Sequence, residues 1–148
     1  MTVVGEDETL SLGRLDGLLG FHLRMASAAI ARDFAVAMEE IRLTQKQVAV
    51  LELIDANPQV SQIDLAGRLG MDRATMMALV DRLEHRGLLV RMASGRDRRR
   101  QELSLTTEGG ALLRDARRRI AAHERRFLGR LGPAKAERLM ALLREIYD

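Results

Sequence analysis

The sequence predicts a mainly α-helical fold with one small β-hairpin, and three local patterns support that prediction. Two short helices, separated by a glycine turn, are expected between Ser61 and Gly87. Two β-prone runs then flank an arginine-rich segment, and the second run ends before Thr106. Long amphipathic patterns precede and follow this region. At 148 residues, the whole chain has the length of about one domain.

The first of the two short helices begins at Ser61, a typical N-cap residue, and ends at Gly70. Upstream of it, Thr44 with Gln47 forms a capping box that opens another helix. Asp72 caps the second helix, in which apolar residues recur with the spacing of one buried stripe. The residues of this stripe are Met76, Leu79, Val80 and Leu83. A short helix, a glycine turn and a longer amphipathic helix form a helix-turn-helix outline, whose second helix can lie in the major groove of DNA.

The hairpin expected after this motif carries a high concentration of positive charge. Residues 88–92 form one β-prone run, and residues 101–105 alternate polar and apolar side chains as the second. The segment 96–100 between them contains four arginines. Such a cluster is costly to hold together unless an anion neutralises it, and DNA phosphates are the obvious anion. We therefore predict a DNA-contacting wing; the alternative is a solvated charge cluster that contacts nothing.

Two motifs in this region are more specific than a bare helix-turn-helix. The first is Asp97-x-Arg99 followed by Leu103, Leu105-Thr106 and Gly109. The second lies upstream and reads Asp81-x-Leu83-Glu84-x-x-Gly87-Leu88. Together they resemble the winged-helix signature of the MarR family of bacterial regulators, and the family's order of helices can be followed from about Leu12 to Ile146.

The resemblance implies a winged helix-turn-helix with N- and C-terminal dimerisation helices. We predict a flexible N-terminal arm over 1–11, dimerisation helices over 12–41 and 107–148, and the winged helix-turn-helix over 44–106. The apolar pattern over 12–41 predicts one long helix there. Apolar stripes on the terminal segments need a partner outside the winged helix. A two-fold homodimer would bind a palindromic site with half-sites about 34 Å apart. The alternative is a monomeric bundle in which these stripes pack on each other.

The outward face of the second short helix indicates which of its side chains meet DNA. Arg73 is suited to reading guanine, whereas Ala74 and Met77 offer only apolar contacts. Hydroxyl and amide groups at helix starts suit phosphate contacts. In the wing, arginines are expected to enter a narrow minor groove, while Asp97 pairs with a neighbouring arginine. The predicted DNA-binding residues are Ser61, Gln62, Arg73, Ala74, Thr75, Met77, Arg96, Asp97, Arg98 and Arg99.

The resemblance also implies a small-molecule effector. Many members of the family release DNA when a phenolic acid or its coenzyme A (CoA) thioester enters the crevice between the dimer helices and the winged helix. Candidate ligand-binding residues are His22 and Met25 on the first helix and His123 on the fifth, because an imidazole can bond a phenol or carboxylate. The alternative is that both histidines are ordinary dimer-core residues satisfied by backbone or water.

Other functional classes find little support in the sequence. The chain has no cysteine, which excludes disulfides, thiolate chemistry and a cysteine redox switch. Its three histidines lack metal-ligand spacing, and no phosphate-binding glycine loop or nucleophile elbow occurs. We therefore expect no enzymatic activity, cofactor or metal. No apolar run of about 18 residues and no signal-peptide pattern is present, so a cytoplasmic protein without a membrane partner is expected.

These patterns together predict a sequence-specific, DNA-binding transcriptional regulator. Its expected partner is a palindromic operator in double-stranded DNA, and its expected action is that of a dimeric repressor released by a small aromatic ligand. One alternative is a constitutive or architectural DNA-binding protein without a ligand. Another is a winged helix used for protein contacts, which the arginines of segment 96–100 argue against.

Overall fold

The computed structural model describes residues 9–148, which form six α-helices and one antiparallel hairpin. This architecture confirms the predicted fold class. Leu89 of the first strand lies opposite Leu105 of the second. Of the predicted N-terminal arm, residues 1–8 lie outside the described part of the chain. In chain order the elements are α1 (Leu19–Ala37), α2 (Gln45–Ala56), α3 (Gln62–Leu69), α4 (Arg73–His85), β1 (Leu89–Ala93), β2 (Gln101–Leu105), α5 (Thr107–Leu131) and α6 (Pro133–Tyr147).

Side-chain caps begin the helices of the central region as the sequence predicts. At α2, the hydroxyl of Thr44 accepts the backbone N–H of Gln47 at 3.2 Å, and the Gln47 side chain accepts the N–H of Thr44 at 3.1 Å. Each such cap satisfies donors that have no partner inside the helix. The N-caps of α3, α4 and α5 are Ser61, Asp72 and Thr106.

The single long helix predicted over residues 12–41 is wrong at both ends. A 3-10 turn occupies Gly13–Gly17, and extended backbone at Leu18 separates it from α1. The glycines in this stretch favour helix poorly, which explains the break. At the other end α1 stops at Ala37, and the chain turns through Arg42, whose φ is 53°. The guanidinium of Arg86 closes this turn by donating to two of its backbone carbonyl groups.

The hydrophobic core lies between α2, α3, α4, the hairpin and α5. The predicted stripe on α4 faces it, with Met76, Val80 and Leu83 fully buried. Burying a side chain of this size contributes about 1.5–3 kcal/mol relative to leaving it exposed. This core fixes the orientation of α4 and the hairpin. The other elements contribute Leu51, Leu65, Leu89, Leu103 and Leu113.

Apolar side chains at the two ends of the chain remain exposed, in contrast to this core. Leu10 is 94% exposed, and Ile146 on α6 is 57% exposed. No helix within residues 9–148 has the length and apolar character needed to cross a membrane. The exposed set also includes Leu12, Leu15, Leu18, Leu19, Leu139, Leu142 and Tyr147.

Candidate nucleic-acid interface

Helix α4 presents the outward face that its apolar stripe predicts. Arg73 and Ala74 are exposed in its first turn, and Met77 is 51% exposed one turn later. The hydroxyl of Thr75 donates to Asp72 Oδ2 at 2.8 Å, so in this arrangement its proton is not available to donate to DNA. The backbone N–H and the hydroxyl of Thr75 lower the pKa of Asp72. This cap holds the first turn of α4 in place.

The start of α3 places its two predicted DNA-binding residues in different environments. Ser61 is buried, and its hydroxyl accepts the backbone N–H of Asp64 at 3.2 Å. Ser61 therefore caps α3 and is not accessible for a side-chain contact with DNA. Gln62 is partly exposed, and its side-chain oxygen accepts a hydrogen bond from Arg91 at 3.3 Å. Its amide N–H groups make no hydrogen bond within residues 9–148.

The wing is ordered by a small network around Ser94, a residue that the sequence patterns did not single out. Ser94 is buried, and its hydroxyl accepts the backbone N–H groups of Arg96 at 3.1 Å and Asp97 at 3.2 Å. Asp97 in turn accepts the backbone N–H of Arg99 at 2.9 Å. The expected ion pair between Asp97 and a neighbouring guanidinium is therefore corrected to a backbone contact. Short side-chain acceptors stabilise tight turns in this way.

One arginine of the wing does not project from it. Arg100 pairs with Asp64 of α3 and donates to the carbonyl of Gln59 at 3.4 Å. The backbone N–H of Ser61, together with Arg100, lowers the pKa of Asp64. Arg100 thus fastens the base of the wing to α3. Among the described residues, the exposed arginines of the wing that form no ion pair are Arg96, Arg98 and Arg99.

The start of α3 and the wing tip line one groove. Its walls bring together the predicted residues Ser61, Gln62, Asp97, Arg98 and Arg99. Helix α4 packs against α3 beside it. The exposed guanidinium groups of the wing and the free side-chain N–H groups of Gln62 can both donate hydrogen bonds to DNA phosphates.

The three candidate ligand residues do not form one site within a single chain. His22 Nε2 lies 2.7 Å from the carbonyl oxygen of Asp16, and Met25 is exposed one turn further on. His123 is 2% exposed, and its Nδ1 lies 2.5 Å from Asp33 Oδ2. Asp33 is eleven residues along α1 from His22, which is about 16 Å of helix. Among residues 9–148, no group of three metal-ligating side chains is close enough to hold a metal ion.

Comparisons with known proteins agree with this geometry. A MarR family model matches residues 43–100, which hold the helix-turn-helix and the wing as far as the start of β2. A putative transcriptional regulatory protein for the hcr operon of Thauera aromatica is 35% identical over 136 residues, covering 91% of this chain and 82% of that protein. The transcriptional repressor CouR bound to a 23-mer DNA duplex is 38% identical, with a TM-score of 0.91 over 95% of this chain and 100% of that chain. CouR bound to p-coumaroyl-CoA is 37% identical, with a TM-score of 0.85 over 93% and 97% of the two chains. The chain belongs to the MarR family of transcriptional regulators.

Proposed function

We propose that this protein is a dimeric repressor that binds a palindromic DNA operator and leaves it when a small aromatic effector binds. The observation that carries the proposal is the exposed guanidinium cluster of Arg96, Arg98 and Arg99 on the wing, whose tip lies beside the start of α3 in the helix-turn-helix motif. The likeness to DNA-bound CouR over nearly the whole chain supports the same use of this surface. Arg73 reads a guanine, and the wing arginines enter the adjacent minor groove.

The exposed apolar side chains at both ends of the chain support the dimer. Leu15, Leu18 and Leu19 near the start of α1 are exposed, and so are Leu139 and Ile146 on α6. Exposed apolar side chains in such numbers are characteristic of a protein interface. A two-fold dimer places two recognition helices on successive major grooves, about 34 Å apart.

The effector class is supported by the likeness to CouR bound to p-coumaroyl-CoA, an aromatic acyl thioester. We propose a phenolic acid or its CoA thioester as the ligand of this protein as well. His22 and Met25, on an accessible face of α1, remain the predicted contacts. His123 is buried and its Nδ1 contacts Asp33, so its side chain reaches a ligand only if the packing around it opens.

A fluorescence-anisotropy titration tests the proposal. The purified protein is titrated onto labelled duplex DNA from upstream of its own gene and onto a scrambled duplex of the same length. Both titrations are repeated with hydroxycinnamic and hydroxybenzoic acids and with their CoA thioesters, and free CoA serves as the matched polyanion control. Tight binding to the upstream DNA alone, abolished by one aromatic compound but not by free CoA, is the expected result.

An architectural DNA-binding protein is the second candidate, because the outward face of α4 carries apolar Met77 and Ala78 where base readout would occur. This candidate predicts equal binding to both duplexes, no response to any compound, and a steep loss of affinity with salt. Equal affinities in the titration would therefore replace the repressor with this function.

A further inference from the structure

Arg91, on the first strand of the hairpin, lies at the centre of a cluster that the sequence patterns did not single out. Its Nη1 donates to Glu84 Oε1 at 2.8 Å, and its Nη2 donates to Asp81 Oδ1 at 2.5 Å. Its Nη2 also donates to Gln62 Oε1 at 3.3 Å. The backbone N–H of Arg91 donates to Glu84 Oε2 at 3.3 Å. One residue therefore joins β1 to both helices of the helix-turn-helix motif.

The partners of Arg91 share the surface that carries the predicted DNA contacts. Asp81 follows Met77 by one helical turn, so it continues the same outward stripe of α4. The side chain of Asp81 is 57% exposed, whereas that of Arg91 is only 18% exposed. An unpaired carboxylate on this stripe would repel DNA phosphates. Arg91 lies beneath this surface and partly offsets that charge, because its single positive charge is shared between Asp81 and Glu84.

Arg91 also determines which end of Gln62 faces outward. A guanidinium group can only donate hydrogen bonds, so it holds the side-chain oxygen of Gln62. The amide nitrogen of Gln62, with two N–H donors, is then left for another acceptor. A phosphate oxygen is the acceptor that a DNA backbone would bring to this position.

We infer that Arg91 is a positioning residue for DNA binding, an inference that rests on the proposed function. It orients the amide of Gln62, offsets the charge of Asp81 and holds the wing against the recognition helix, without contacting DNA itself. Partly exposed ion pairs add little to folding stability. The main effect of Arg91 is therefore on binding rather than on folding.

The test compares Arg91→Met with Arg117→Met, because both variants remove an arginine that bridges two carboxylates. Arg117 donates to Glu52 and Asp55 and joins α5 to α2, outside the groove between α3 and the wing. We expect Arg91→Met to weaken operator binding about tenfold, and Arg117→Met to change it less than about twofold. Both variants should keep the circular-dichroism spectrum and thermal midpoint of the unmodified protein.

The salt dependence of binding separates a positioning role from a direct phosphate contact. Loss of one phosphate contact reduces the slope of log affinity against log salt by about 1. We expect Arg91→Met to leave that slope unchanged. Adding Asp81→Asn to Arg91→Met removes the more exposed of the two unpaired carboxylates, while Glu84 keeps its charge, and should recover about threefold in affinity, since coupled residues are not additive.

Three results would overturn the inference: unchanged affinity in Arg91→Met, a reduced salt slope, or no recovery on adding Asp81→Asn. If Arg91→Met does not fold, Arg91→Lys takes its place, because lysine keeps the charge but cannot form the same fork of hydrogen bonds. Arg91→Lys should bind about threefold more weakly than the unmodified protein, and equal binding would count against the inference. Failure of the unmodified protein to bind any operator DNA would instead overturn the proposed function and this inference with it.

Discussion

Arginine side chains in the second half of the chain fall into two groups that the sequence does not separate. Arg100 pairs with a carboxylate on α3 and Arg117 with two on α2, and the hydrogen bonds that Arg117 donates to Glu52 and Asp55 raise the pKa of Arg117. By contrast, the guanidinium groups of Arg96, Arg98 and Arg99 are exposed at the wing tip and form no ion pair within residues 9–148. The charge available to DNA is therefore concentrated at that tip, although arginine is abundant along the whole second half.

Asp33 is the residue that we expect to make folding stability depend on pH in the acid range. Its carboxylate accepts a bond from His123 and pairs with Arg126, and these contacts lower the pKa of Asp33. A carboxyl group with a lowered pKa in the folded protein stabilises the fold above its unfolded pKa of about 3.9 and loses this effect as the pH falls through the folded value. Asp33→Asn should therefore be less stable than the unmodified protein near neutral pH.

Urea unfolding at about pH 7 and about pH 3 measures this effect. The difference in unfolding free energy between Asp33→Asn and the unmodified protein should be smaller at the lower pH. Asp16→Asn, which alters an exposed carboxylate 3.8 Å from His22, is the matched control. A difference as large in acid as at neutral pH would contradict the prediction.

Gly109 is the residue for which the structure gives the sharpest steric requirement. A Cβ atom added there would lie 1.9 Å from the carbonyl oxygen of Leu88. Gly109→Ala should therefore cost about 3 kcal/mol of unfolding free energy, because backbone must move to relieve the overlap. Gly110→Ala is the control. A Cβ atom added at Gly110 would meet only Nη1 of Arg114, at 3.7 Å, so the better helix propensity of alanine should stabilise α5 by about 0.5–1 kcal/mol. Equal denaturant midpoints for the two variants would refute this reading.

At the scale of elements, the wing should act mainly through its tip. Arg99→Ala should weaken operator binding about tenfold or more and reduce the salt slope by about 1, because its exposed guanidinium meets DNA directly. Arg118→Ala, which removes an exposed arginine of α5 paired with Asp115 at 3.3 Å, is the control and should bind as the unmodified protein does. Anisotropy titrations at several salt concentrations measure both quantities. Unchanged affinity of Arg99→Ala at moderate salt would remove the wing tip from the interface.

The sequence predicts those elements whose signals are local. The caps at Thr44, Ser61 and Asp72 and the buried stripe of α4 depend on spacings within a few residues, and the structure agrees with them. The break at Leu18 was missed because the apolar pattern continues across it. Gly109 was noted as part of a family motif, yet its physical reason is a contact with Leu88, which only the folded chain reveals.

The site was less predictable than the fold, because its geometry depends on contacts between distant segments. The links from Arg100 to Asp64 and from Arg91 to Asp81 and Gln62 join different elements, and no spacing in the sequence indicates them. The same holds for the burial of His123 against α1. The assignments of individual residues to DNA or to an effector stay predictions.

At the scale of the whole molecule, binding should depend on dimer formation more than on any single arginine. One chain offers three exposed arginines at its wing tip and a largely apolar reading face on α4. Joining two such chains makes the second half-site an intramolecular event, which raises affinity by a factor of about 10²–10⁴ when the spacing fits. The net charge of +3 is modest, so we expect affinity for DNA to come from the position of the wing-tip arginines and the spacing of the two chains rather than from overall charge.

The double variant Leu139→Glu with Ile146→Glu tests this dependence. The two side chains are 43% and 57% exposed and lie seven residues apart on one face of α6, so charges there should break an apolar dimer interface while leaving the buried core intact. We expect sedimentation of a folded monomer and a loss of operator affinity of about a hundredfold or more. Lys135→Glu is the control: it changes an exposed residue on the same helix and lowers the net charge by the same amount, but it leaves the apolar side chains in place. This variant should remain dimeric and bind the operator normally. A double variant that stays dimeric would place the interface elsewhere, whereas a monomer that binds the operator with full affinity would show that one winged helix suffices.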